Sequence, residues 1–255
     1  MIVLGFDTAT PATAIGLRLA DGSTVQARDD PEPGARPGHA TRLLPLAAQL
    51  LAGAGLRWGD LDRIAVGLGP GTFTGLRIGV ATARGLTQSL GVELVGVSSL
   101  RALAQVQMSQ EENDRGALAV IDARRGEVFA GAYALAKRLD VDRTRASPLE
   151  LSAPRALAPT DLGDVLLDVA ARGEHVTRWI AVGNGAVLHR DRLEALGVQV
   201  PRETSPLHRV SGETICEIAA SSAAQAIETV LPDYRRRPDA EIALERAGVS
   251  GGARA

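Results

Sequence analysis

Ile2-Val3-Leu4-Gly5-Phe6-Asp7-Thr8-Ala9-Thr10-Pro11 is a short apolar run that ends in a carboxylate and a cluster of turn formers, so a buried strand delivers Asp7 into a turn. Thr13 to Leu19 reads as a second strand, Asp21-Gly22 as a hairpin turn and Thr24 to Arg28 as the returning partner. Three strands therefore open the chain. Asp29 to Gly38 holds three prolines and is a loop. From His39, the positions Leu43, Leu44, Leu46, Ala47, Leu50 and Leu51 follow helical spacing, with Pro45 tolerable only in the first turn or two. Arg63 to Leu68 then reads as a strand, Phe73 to Leu90 as a helix, Glu93 to Val97 as a strand and Ser98 to Met108 as a helix.

The same order restarts further on. Ala117 to Ile121 is an apolar strand that ends in Asp122, and Glu127 to Tyr133 alternates as its partner. After a proline-containing stretch come a helix over Leu162 to Ala171, a strand over Trp179 to Val182, a helix after Gly183-Asn184-Gly185 and one long helix from Arg209 to Val230. Two α/β halves, each bringing an aspartate to the end of a first strand, describe paired ribonuclease-H-like lobes of the actin, Hsp70 and sugar-kinase superfamily. Their mixed sheets are flanked by helices, and the paired aspartates face a nucleotide cleft between the lobes. The likeness to that superfamily is one of topology. The expected organisation is an N-terminal lobe over 1–106, completed by the helix at 209–230, a second lobe over 107–208 and a partly flexible tail over 231–255. Polar Gln107 to Arg115 marks the boundary.

Composition narrows the function classes. A chain of 255 residues exceeds the usual single-domain size, and a formal charge of -2 provides no global field toward nucleic acid or an anionic membrane. The lone cysteine, Cys216, lies in an apolar-periodic segment as a small buried hydrophobe and suits a reducing compartment. With no basic leader and no apolar run near the roughly 20 residues that span a bilayer, the expectation is a cytoplasmic protein.

Gly67-Leu68-Gly69-Pro70-Gly71-Thr72-Phe73-Thr74-Gly75-Leu76-Arg77-Ile78-Gly79-Val80 resembles a phosphate loop and fails both common patterns. No lysine follows the glycines as a P-loop requires, and a threonine stands at the third glycine of a dinucleotide fingerprint. Thr72 is placed to cap the helix, and Gly75, Gly79 and Ala83 recur every four residues along one smooth face. Each interior glycine costs about 1 kcal/mol of helix stability, which close approach of another helix would offset. That neighbour could lie in the same lobe or in another chain.

Phe6 to Thr10, His39 ahead of Leu44-Pro45, the glycine loop and its helix, Val97-Ser98-Ser99-Leu100, Ile121 to Val128 and the ending Pro232-Asp233-Tyr234-Arg235-Arg236-Arg237-Pro238 together resemble the bacterial TsaB family, also called YeaZ. The resemblance spans nearly the whole chain and thins between Ala136 and Arg178. It implies a non-catalytic subunit of the machinery that transfers threonylcarbamoyl from its adenylate to N6 of adenosine 37 in tRNA. The family's partners are TsaD, the paralogue that performs the transfer, and the ATPase TsaE. TsaD-type proteins carry two metal-holding histidines four residues apart, where this chain has Ser99 and Leu103. A leucine cannot ligate a metal, so no metal site and no catalytic residue are expected, and a metalloglycopeptidase is disfavoured. Ser98 and Ser99 are read as helix caps.

The resemblance also implies association, with TsaD or with a second copy, through the helices after the histidine segment and after the glycine loop. The interface residues are then His39, Leu43, Leu46, Phe73, Gly75, Leu76, Gly79 and Ala83. Gly79→Arg is expected to abolish association and leave the fold intact. A vestigial site for weak ATP or ADP, with Mg²⁺ only alongside nucleotide, would comprise Asp7, Thr8, Thr10 and Asp122. The preferred alternative is that Asp7 and Thr10 satisfy the backbone of their own turn. An independent nucleotide-dependent enzyme of the same superfamily is the rival reading. Arg235 to Arg237 are read as a solvated tail, so tRNA is met through the complex, and no membrane is involved.

Overall fold

The computed structural model describes residues 1–32, 34–105, 115–134, 148–174 and 176–235. In chain order the elements are β1 (Val3–Asp7), β2 (Thr13–Arg18), β3 (Thr24–Asp29), α1 (His39–Gly53), β4 (Arg63–Gly69), α2 (Phe73–Leu90), β5 (Glu93–Ser98) and α3 (Ser99–Gln105). They continue with β6 (Arg115–Arg124), β7 (Glu127–Ala134), β8 (Leu149–Leu157), α4 (Leu162–Ala171), β9 (Arg178–Val182), α5 (Asn184–Leu188), α6 (Arg190–Ala195) and α7 (Gly212–Ala220). The boundary expected at Gln107 to Arg115, the end of the helix expected over Ser98 to Met108, and the tail beyond Arg235 lie wholly or mostly outside the described residues.

The first sheet runs β3-β2-β1-β4-β5 and the second β8-β7-β6-β9. In each, the first strand pairs antiparallel with the second and parallel with the fourth, as in Asp7↔Ala14 with Val3↔Arg63 and Asp122↔Val128 with Arg115↔Arg178. The two halves thus repeat one ribonuclease-H-like topology. Where the second sheet would carry a fifth strand, the described residues form a single parallel bridge, Ile180↔Gln199. β1 is buried at every position because helices cover both faces of its sheet, which is why it reads as an unbroken apolar run.

α1 and α2 cover one face of the first sheet, α3 and α7 lie between the sheets, and α4 and α5 pack on the second. One apolar cluster joins the halves, bringing Val3, Val95 and Ile215 together with Leu103, Ile121, Phe129 and Val182. Cys216 belongs to it, fully buried, with its thiol pushed up to about 12 by desolvation.

Two elements depart from the sequence reading. The sequence assigns no element to the proline-containing stretch that holds β8. It is an edge strand, and Pro154 sits in a bulge between the pairs Ala130↔Arg155 and Ala132↔Ser152, where no ladder donor is needed. The long helix over Arg209 to Val230 is only α7. Buried Arg63 donates to the carbonyls of Ala219 and Ser222, and the Ser222 hydroxyl donates to Ile218 O, which closes the helix end. Beyond it, Gln225 N donates to Leu94 O and the Gln225 side-chain oxygen accepts from Gly96 N, fastening the chain to the free edge of β5.

Candidate functional site

At the end of β1, Asp7 is 1 % exposed. One carboxylate oxygen accepts from Ala9 N at 2.8 Å and the other from the Ser99 hydroxyl, which in turn accepts from Gly69 N at 3.2 Å. The serine therefore ties the first turn of α3 to β1 and to the glycine loop. Burial holds the Asp7 carboxyl above the ordinary range, against the opposing effects of Ser99, the Ala9 amide and Arg28. Gly67 is required here, since a Cβ on it would lie 1.8 Å from the Asp7 carboxylate.

The neighbouring turn is closed as well. Thr8 is fully buried and its hydroxyl donates to Gly75 O at 2.8 Å. Thr72 N donates to Ala9 O, and a Cβ on Gly71 would meet that oxygen at 2.3 Å. Cβ atoms on Gly75 and Gly79 would meet Thr8 O at 2.0 Å and Thr8 Oγ1 at 2.4 Å. The smooth face of α2 thus receives the chain's own β1–β2 turn. A four-residue spacing shows that a face is small but not what it meets.

This corrects the expected interface. Gly75, Leu76, Gly79 and Ala83 point inward, as do Leu43 and Leu46 on α1, and only Phe73 keeps partial exposure. His39 is buried too, with Nδ1 2.8 Å from Thr13 Oγ1 and its basicity lowered by burial despite Asp29. Gly79→Arg would break the fold rather than probe a partner. On the solvent-facing sides, Leu44, Ala48 and Ala52 lie among Arg42 and Gln49 on α1, and Ala81 and Gly85 lie among Arg77 and Gln88 on α2, with Ile78 and Thr82 half-buried. Leu44, Ala48, Ala52, Ala81 and Gly85 too are short or apolar, and sequence spacing could not rank them against the inward face. The caps differ as well, because Thr72 occupies the N-cap without a side-chain bond and Ser99 bonds Asp7, leaving Ser98 to accept from Arg101 N at 3.4 Å.

Between the lobes lies a cleft of about 400 Å³ lined by Thr10, Arg28 and Asp30 on one side and Leu103, Ile121, Asn184 and His208 on the other. Of the four residues expected to hold nucleotide, only Thr10 lines it. Asp7 and Thr8 are sealed beneath, and Asp122 turns its carboxylate to Arg124 N at 2.8 Å while its own N–H donates to Asn184 Oδ1 at 3.1 Å. Leu103 forms apolar wall of the cleft, and among the described residues no three His, Cys, Asp or Glu side chains gather as metal ligands.

A family model described as TsaD, tRNA N6-adenosine threonylcarbamoyltransferase, matches residues 31–254. TsaB of Escherichia coli is 39 % identical over 133 residues, which cover 52 % of this chain and 55 % of that protein. The chain belongs to the TsaD family, on its TsaB (YeaZ) branch. An uncharacterised protein of Mycobacterium tuberculosis is 36 % identical over 94 % of this chain and 93 % of its own. A crystal structure from Pseudomonas aeruginosa, described as similar to peptidase YeaZ, superposes with a TM-score of 0.70 at 29 % identity, covering 92 % of this chain and 99 % of that one.

Not legible beforehand was a surface cluster at the start of α2, where the Arg77 guanidinium lies 3.8 Å from the centre of the Phe73 ring and its Nε donates to the Tyr234 hydroxyl at 3.1 Å. Arg77 and Tyr234 are 157 residues apart, beyond any local spacing signal.

Proposed function

We propose that the chain is a non-catalytic partner subunit in the synthesis of threonylcarbamoyladenosine on tRNA, supporting a TsaD-type transferase in the cytoplasm. The observation that carries this reading is the closed knot of Asp7, Ser99 and Gly69. Its Ser99 stands where the resemblance puts the first metal-holding histidine of TsaD-type proteins, and Leu103 provides no ligand at the second. The related TsaB of E. coli bears the name of a tRNA threonylcarbamoyladenosine biosynthesis protein.

The solvent-facing side of α1 and α2, with Leu44 45 % exposed and Gly85 opening onto free space, is the surface offered to the transferase. A second copy would compete for it, and a TsaE-type ATPase would join the assembled pair. Nucleotide phosphates do not fit the β1–β2 turn, because the Thr8 hydroxyl and the Ala9 amide already bond inside the protein. Weak ATP or ADP binding, with Mg²⁺ only alongside, would be confined to the cleft. Reconstitution of tRNA threonylcarbamoylation with and without the chain tests the reading. Activity is expected to require it, while the chain alone turns nothing over. Ala81→Arg, on the outward side, is expected to abolish both capture of the transferase and the activity requirement while leaving the melting temperature unchanged. Full activity without the chain would sink the proposal.

A further inference from the structure

The aromatic residues of this chain are few, and most are committed to its interior. Phe6, Phe129 and Tyr133 are buried, while Trp58 and Trp179 pack against the apolar clusters. Phe73 and Tyr234 instead form a surface pair, ring centres 5.1 Å apart, with Tyr234 43 % exposed. Arg77 lies on the Phe73 ring and is bonded to the Tyr234 hydroxyl, so cation and rings are held in one rigid arrangement. Asp233 N donates to Leu68 O at 2.8 Å, which fixes this strap beside the glycine loop. Arg235 follows, paired with Asp233 at 2.6 Å and 40 % exposed at its side chain, and Arg236 and Arg237 come next in sequence.

We infer that the Phe73, Arg77, Tyr234 and Arg235 surface is a stacking platform for unpaired bases of RNA. Every base offers a π face to an aromatic ring or a guanidinium plane, and neighbouring arginines attract the phosphates between bases. Pre-ordering of Arg77 by both rings lowers the entropy lost when a base lands. An acidic peptide would use the arginines but not the exposed ring, which favours RNA as the occupant. The inference rests on the reading of the chain as a subunit of a tRNA-modifying complex. It assigns this subunit a direct RNA contact, where the sequence pointed to a solvated tail.

The test uses the full chain assembled with its TsaD-type transferase and two fluorescent probes, an anticodon stem-loop RNA and a fully paired duplex of the same length. Tyr234→Ala is expected to weaken stem-loop binding about fivefold or more and Tyr234→Phe to restore it, with little change for the duplex. Arg235→Ala, which leaves the ring stack untouched, is expected to lower the slope of log affinity against log salt by about 0.7 per lost phosphate contact. Unchanged stem-loop affinity in both variants of a complex that binds RNA overturns the inference alone. Loss of transferase capture in place of RNA affinity also overturns it, since the surface would then be a protein contact. A wild-type complex that binds no RNA overturns it together with the reading beneath it.

Discussion

Gly75→Ala places a methyl group 2.0 Å from Thr8 O and 2.6 Å from Thr72 Oγ1, and the nearer of these is backbone that cannot rotate away. The turn at Thr8 or the start of α2 must move, and the Thr8 to Gly75 hydrogen bond goes with it. Overpacking of this kind costs about 1 to 3 kcal/mol and the lost bond about 1, while alanine returns about 1 kcal/mol of helix propensity. The expected net loss is about 2 kcal/mol, a fall in melting temperature of roughly 4 to 8 °C for a chain of this size. Gly85→Ala is the matched control. It lies in the same helix, exposed, with nothing within 4 Å of its Cβ, so only the propensity gain of about 1 kcal/mol remains and the melting temperature should rise by roughly 2 to 4 °C. Scanning calorimetry of both variants reads the difference. Equal stability would refute the inward packing of the small face, and with it the argument that the β1–β2 turn is closed.

Asp7 has a folded-state affinity for protons above its unfolded value of 3.8, so the folded protein binds more protons and this group's contribution to stability is present below pH 3.8 and lost as pH rises through the raised value. Asp7→Asn, which keeps the shape without the charge, is expected to gain stability relative to the parent as pH rises above 4 in urea titrations, and a constant difference across pH would refute this. Isothermal titration with ATP and Mg²⁺ is expected to show no binding tighter than millimolar, because the Thr8 hydroxyl and the Ala9 amide of the turn already bond inside the protein. Micromolar heat would reopen the enzymatic reading.

Sequence pattern carried much of the fold. α2 and α4 have the bounds that apolar periodicity assigns, because both lay one apolar side on a sheet. The paired aspartates placed the repeat. What escaped was set by distant residues. Arg63, 156 residues from Ala219, decides where α7 stops, and Gln225 turns the next residues into a tether on β5. At the candidate site the absence of histidines was legible, since it concerns residue type alone. The closing of Asp7 by Ser99 was not, because it depends on a contact across 92 positions. The same holds for the direction in which Gly75 and Gly79 face.

The shared apolar layer of α3 and α7 bears on how the molecule can move. Leu100, Leu103, Ile215 and Ile218 are anchored against residues of both sheets, with Val3 and Val95 on one side and Ile121 and Phe129 on the other. Prising the lobes apart about a hinge would wet these side chains, at about 1.5 to 3 kcal/mol for each large one exposed. Opening and closing around a ligand is therefore costly for this chain. It is built as a rigid block whose outer surfaces keep a fixed mutual orientation, so that whatever docks on α1 and α2 is held in set register with the second sheet.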